Sequence, residues 1–163
     1  MSKHHATVRW HRSSDDFTYD SYNRAHEWEF PGEIRVPASA APAYRAKAER
    51  SEAKEGDSDR VDPEEAFVAS VSACHMLTFL ALAARKRFVV DRYTDRAQGI
   101  LEKNEDGRLA ITRVELAPEI EFGGEKRPND ADLAKLHELA HKECFIANSI
   151  RASVTVRRPE RNS

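Results

Sequence analysis

The feature that most constrains this chain is one long apolar segment with a well-marked start. Asp62-Pro63-Glu64-Glu65 reads as a helix N-terminus: Asp62 can cap, Pro63 suits the first helical position, and Glu65 stands three residues after the cap. Residues 66–84 follow, apolar around most of a helix's circumference, and Arg85-Lys86-Arg87 supply the cations that favour a helix C-terminus. A helix of this kind is expected to be buried on all sides. Its length approaches that of a membrane span, but Ser70, Ser72, His75 and Thr78 interrupt it and strand patterns surround it, so no membrane is expected.

The segments around it alternate. Residues 6–12 place Val8 and Trp10 on one face, residues 17–20 restart the period of two after the turn cluster 13–16, and residues 22–30 alternate again before Pro31-Gly32. After the helix, residues 88–101 and 109–122 alternate on either side of Asn104-Glu105-Asp106-Gly107, a hairpin turn, with Pro118 marking an edge or a bulge. A second helix opens near Asn129, with Leu133, Leu136, Leu139 and Ala140 at helical spacing, and Ile150, Ala152, Val154 and Val156 share one face of a last strand. The expected organisation is one domain over 1–163: strands in 1–36, a loop at 37–61, the central helix at 62–87, a strand pair at 88–123, the second helix at 129–143 and a strand at 150–157. Strands joined by short hairpins imply antiparallel sheet, so the class is α+β.

Composition excludes several functions. Lys and Arg number 26 against 28 Asp and Glu, a net charge of −2 that does not suit a nucleic-acid binder. The two cysteines, Cys74 and Cys144, are too few for a disulfide scaffold or a four-thiolate zinc site. The first ten residues hold no apolar run of a signal peptide, which places the chain in the cytoplasm as an expectation. His137-Glu138-Leu139-Ala140-His141 matches the zinc-protease pattern, but that chemistry needs a third ligand, and the polar tail offers only Glu160. The motif reads instead as an amphipathic helix, and no metal or cofactor is expected.

The cysteines say more. Cys74 lies in the middle of the apolar helix beside His75, and Cys144 continues the Leu133, His137, Ala140 face of the second helix. Helices packed by these faces can bring the two thiols together as a redox pair. Two unpaired structural thiols fit the residues as well.

Asp62-Pro63-Glu64-Glu65, Ala73-Cys74-His75-Met76 and Cys144-Phe145-Ile146-Ala147-Asn148-Ser149, with the strand ending Ile120-Glu121-Phe122-Gly123-Gly124, resemble the OsmC/Ohr family of osmotically induced and organic-hydroperoxide-resistance proteins, in an OsmC-like branch. The resemblance runs from about Arg24 to the C-terminus. It implies an OsmC-like fold with antiparallel sheets wrapped around long central helices in an intertwined homodimer. It implies a thiol peroxidase that reduces organic hydroperoxides, with Cys74 as peroxidatic and Cys144 as resolving cysteine, Glu64 as the active-site glutamate, and Arg24 as the candidate arginine, the sequence leaving another basic residue such as Arg9 or Arg35 open as the partner of Cys74. The alternative is a non-catalytic or redox-sensing OsmC-like binding module.

The implied chemistry is coherent. A thiolate is the nucleophile, and an unperturbed thiol near 8.5 is mostly protonated at neutral pH. A guanidinium favours the thiolate and can hydrogen-bond peroxide oxygens, and a carboxylate holds the guanidinium. The resulting sulfenic acid condenses with the second cysteine, and an external dithiol of lipoyl or thioredoxin type reduces the disulfide. One step needs no family. Glu64 and Cys74 are ten residues apart, which is about 15 Å along a straight helix. A shared site therefore calls for two crossing helices, Glu64 from one chain and Cys74 from the other, as in a two-fold homodimer.

Overall fold

A computed structural model describes residues 1–13, 15–45 and 59–157. The fold is mixed α+β, as expected, and the chain divides into two compact units, 1–66 and 67–163.

The first unit holds a three-stranded antiparallel sheet, β1 (Thr7–Arg9), β2 (His26–Phe30) and β3 (Ile34–Ala38), in that order. Its register sets Val8 and Val36 on either side of Trp28. Residues 17–20, expected as a strand, form no ladder. Thr18 O accepts from the backbone N–H groups of Ser21 and Tyr22, and the Asn23 side chain donates to His11 O and accepts from Ser13 N–H. These local bonds satisfy the backbone in a closed loop where a strand would have needed a partner. Trp10, Phe17 and Tyr22 pack together across it, with ring centroids 5.3–6.4 Å apart.

Of the expected loop 37–61, residues 46–58 lie outside the described residues. Its ends are tied: Val61 bridges Ala38 in parallel, with Ser39 N–H donating to Val61 O and Val61 N–H to Pro37 O. Helix α1 (Pro63–Arg85) opens with the capping box read from the sequence. Glu65 N–H donates to Asp62 Oδ1 at 2.7 Å and Asp62 N–H to Glu65 Oε2 at 3.0 Å.

The second unit contains most of α1, helix α2 (Asp130–Glu143) and five strands. The segment 88–123, expected as a strand pair, forms four strands in two sheets: β4 (Val89–Asp95) pairs with β7 (Pro118–Gly123), and β5 (Gln98–Lys103) with β6 (Leu109–Leu116). The break has a cause on each side of the seam. Pro118 has no N–H to give a ladder, and the Ala117 N–H donates to Asp95 Oδ1 instead of to a strand. The last strand, β8 (Ser153–Val156), lies parallel to β6, the one departure from antiparallel pairing among the named strands.

Two cores meet α1. Phe79 and Ala83 pack with Leu136 and Ala140 of α2 and with Phe88, while Val71 packs with Val114 and Leu116 of β6. A Cβ at Gly99 would stand 2.6 Å from Val68 Cγ2, so glycine lets β5 lie close to the helix. The expectation that α1 is buried all round does not hold within one chain. Val71, His75, Phe79 and Ala83, spaced by four, are buried, whereas Ala69, Ala73, Leu77 and Ala81, also spaced by four, face outward. Leu77 is 63% exposed. The helix is apolar on a face that the other described residues leave open. By length and composition it is long and apolar enough to cross a membrane, but its inner face carries both cores.

Candidate active site

Helix α1 holds Cys74 half-buried near its middle, and Cys144 is the residue that ends α2. The structure brings the two together: both thiols are free, and Cys74 lies close enough to Cys144 to shift its proton affinity. Cys144 is the enclosed partner, 1% exposed. Burial pushes its thiol up, and the neighbouring Cys74 adds to this, while the backbone N–H groups of Ala147 and Ile146 pull it back. Ala147 N–H reaches Cys144 Sγ at 3.4 Å, because the chain leaves α2 in an extended turn and closes one turn of 3-10 helix over Ala147–Ser149. Cys144 therefore holds its proton at neutral pH.

One residue on from Cys74, His75 lies on the buried stripe of α1 and is 1% exposed. Its Nε2 meets Nδ1 of His137 at 3.1 Å, and the rings stack at 5.4 Å within 9° of parallel. Phe79 closes against His137 at 4.6 Å. The first histidine of the His137–His141 motif thus faces an imidazole of α1. Among the described residues no group of three or more His, Cys, Asp and Glu is arranged to hold a metal ion. Ser72 Oγ donates to Asp95 Oδ2 at 2.5 Å, so one carboxylate fastens α1 to the point where the two sheets part.

The imidazole pair makes the fold acid-sensitive. Burial first, then His137 and His141, pushes His75 down from 6.5 to about 4, and burial also lowers His137. The unfolded chain takes up these protons at higher pH than the folded one. The stabilisation is therefore complete above 6.5 and is lost as the pH falls towards 4. Urea unfolding is expected to show a loss of about 3 kcal/mol from His75 across that interval. An unfolding midpoint constant between about pH 7.5 and about pH 4.5 contradicts this.

Arg24 and Glu64 belong to the first unit. Arg24 is 8% exposed. Its Nη1 donates to Tyr22 O and its Nη2 to Tyr19 O, both at 2.5 Å, and its guanidinium lies 3.7 Å from the centre of the Tyr22 ring. Backbone carbonyls and an aromatic face thus take part in holding the guanidinium, a task the sequence assigned to a carboxylate. Glu64 Oε2 is buried with no hydrogen-bond partner among the described residues. Arg24 forms part of a cleft of about 460 Å³, walled by Trp10, Phe17 and Tyr22 and edged by His26 and Ser39.

Sequence reasoning placed the two thiols on faces that can meet, but missed the His75–His137 pair and the aromatic cleft. The pair had a signal. His75 falls on the Val71, Phe79, Ala83 stripe and His137 on the Leu133, Ala140, Cys144 stripe, and an imidazole on a core stripe needs a partner. The cleft had none, because Trp10, Phe17 and Tyr22 share no period.

The family model described as OsmC-like protein matches residues 56–157. Among curated proteins nothing matches. An OsmC-like protein of unknown function from Vibrio cholerae is 45% identical, with 96% of this chain and 99% of that one covered at a TM-score of 0.85. The organic hydroperoxide resistance protein OhrB of Bacillus subtilis is 21% identical, with 96% of each chain covered and a TM-score of 0.63. An organic hydroperoxide resistance protein from Elizabethkingia anophelis is 18% identical, with 97% of each covered and a TM-score of 0.64. These last two share the fold. With the family model spanning well over half of its length, the chain belongs to the OsmC-like protein family.

Proposed function

We propose that this protein is a cytoplasmic thiol peroxidase that reduces organic hydroperoxides to alcohols. The observation that carries the reading is the neighbouring pair of free thiols, one half-buried and one enclosed. Cys74, the thiol that solvent reaches, is the nucleophile. Its thiolate attacks the terminal peroxide oxygen, the O–O bond breaks, and the alkoxide takes a proton to leave as alcohol. The Cys74 sulfenic acid then meets Cys144, whose sulfur displaces the hydroxyl as water and forms the disulfide. Two electrons and two protons from an external dithiol, of lipoyl or thioredoxin type, restore both thiols.

Arg24 and Glu64 serve the substrate end: the guanidinium for the peroxide oxygens, the aromatic cleft for the organic group, and the unpartnered Glu64 carboxylate for the guanidinium. The two act on Cys74 of a second copy, because the ten-residue spacing on α1 separates Glu64 from its own Cys74. The outward stripe of α1 is the surface that the second copy covers.

Steady-state reduction of a bulky alkyl hydroperoxide and of hydrogen peroxide, each with dihydrolipoyl and thioredoxin-type donors, tests the reading. Turnover is expected with the organic substrate, well above that with hydrogen peroxide. Formation of a Cys74 sulfenic acid without turnover under either donor overturns it in favour of a redox-sensing module.

A further inference from the structure

Helices α1 and α2 meet at two polar points, Cys74 with Cys144 and His75 with His137. Cys74 and His75 are adjacent in α1, and His137 precedes Cys144 by seven residues, two turns of α2. We propose that the His75–His137 hydrogen bond is the positioning contact that holds Cys144 on Cys74, and that acid slows closure of their disulfide by loosening it. The proposal rests on the reading of the two cysteines as a redox pair.

The chemistry of the bond supports this. Between two neutral imidazoles, one ring nitrogen donates and the other accepts. A first proton can leave that bond in place, but it buries a cation, and His75 Nδ1 is already enclosed with no partner among the described residues. A second proton leaves N–H facing N–H, and the bond is gone. Among the described residues, the titratable groups around the pair are His141 on α2, Asp95 on β4, and Tyr93 of β4 across Phe79. Asp95 favours a charged His137, but its carboxylate is already engaged by Ser72 and the Ala117 N–H. His141 opposes a second positive charge beside His75. Acid therefore acts on the seam between the helices that carry the two thiols.

The contact matters for ring closure because the two sulfurs must meet in one orientation, and a helix end free to shift lowers their effective concentration. The test uses diamide, a diazene oxidant, so that it does not depend on hydroperoxide reduction. The two thiols give two electrons and two protons to its N=N bond, yielding the hydrazine and the Cys74–Cys144 disulfide. Closure is followed by mass spectrometry from about pH 7.5 to about pH 4.5, alongside alkylation of Cys74 to correct for its own reactivity.

His75→Phe, which keeps a ring but leaves His137 Nδ1 unpartnered, is expected to slow closure about tenfold near pH 7.5. The double variant His75→Gln/His137→Asn places amide groups close to the two bonded nitrogens and cannot titrate there. It is expected to close near the wild-type rate at neutral pH and to lose the acid-dependent slowing of the wild type. Wild-type closure rates in folded His75→Phe, or an unchanged acid limb in the double variant, overturn the proposal. A parallel run with an alkyl hydroperoxide separates the two readings. Failure there, with the diamide results as expected, removes the peroxidase and leaves the positioning contact.

Discussion

Cys74→Ser is expected to abolish reduction of an alkyl hydroperoxide, with no sulfenic acid trapped by a dione reagent. Cys144→Ser should do something different: one equivalent of hydroperoxide is consumed, the Cys74 sulfenic acid accumulates, and turnover with dithiol falls. The asymmetry follows from the site. Cys74 is half-buried, whereas Cys144 is enclosed and holds its proton through burial and the neighbouring Cys74. A serine hydroxyl is far too weak an acid to replace the thiolate, so the first loss is complete. At position 144 a hydroxyl keeps the space filled but cannot resolve the sulfenic acid. Steady-state peroxide consumption and mass spectrometry of the trapped adduct read both effects. Full activity in Cys74→Ser, or an equal loss of sulfenic acid in both variants, would reverse or remove the assignment.

What the sequence made legible was what short-range chemistry decides. The Asp62–Glu65 box, the Asn104–Gly107 turn and the face on which Cys144 leaves α2 all depend on neighbours within a few residues, and each stands as expected. The misses depend on partners outside the segment that was read. Pro118 was read as an edge or a bulge, but it took Asp95, 23 residues earlier, to part 88–123 into two sheets. Residues 17–20 alternate like a strand, yet Asn23 closes them into a loop. His75 and His137 stand 62 residues apart, and only the packing of two helices shows that each is the other's partner. The long helix is the instructive case. Its apolar circumference was read as burial on all sides, and the described residues of the same chain bury one face only.

Leu77→Lys should therefore separate the protein into monomers and remove hydroperoxide turnover with it. Leu77 is the one large side chain on the outward stripe of Ala69, Ala73, Leu77 and Ala81, whose small neighbours let a second helix approach closely. Burying a leucine is worth about 1.5–3 kcal/mol, a two-fold interface counts it twice, and a lysine there adds an unpaired charge to the buried seam. The wild type is expected to sediment at twice 18.5 kDa and the variant at 18.5 kDa. Two measurements on the monomer distinguish lost assembly from lost folding. Diamide should still close the Cys74–Cys144 disulfide, since both thiols sit within one chain. Hydroperoxide reduction should fail, because Glu64 and Arg24 would have no second copy's Cys74 to serve. A fully active monomer, in the wild type or the variant, would mean that one chain assembles the whole site, and the ten-residue separation on α1 would then need a different explanation.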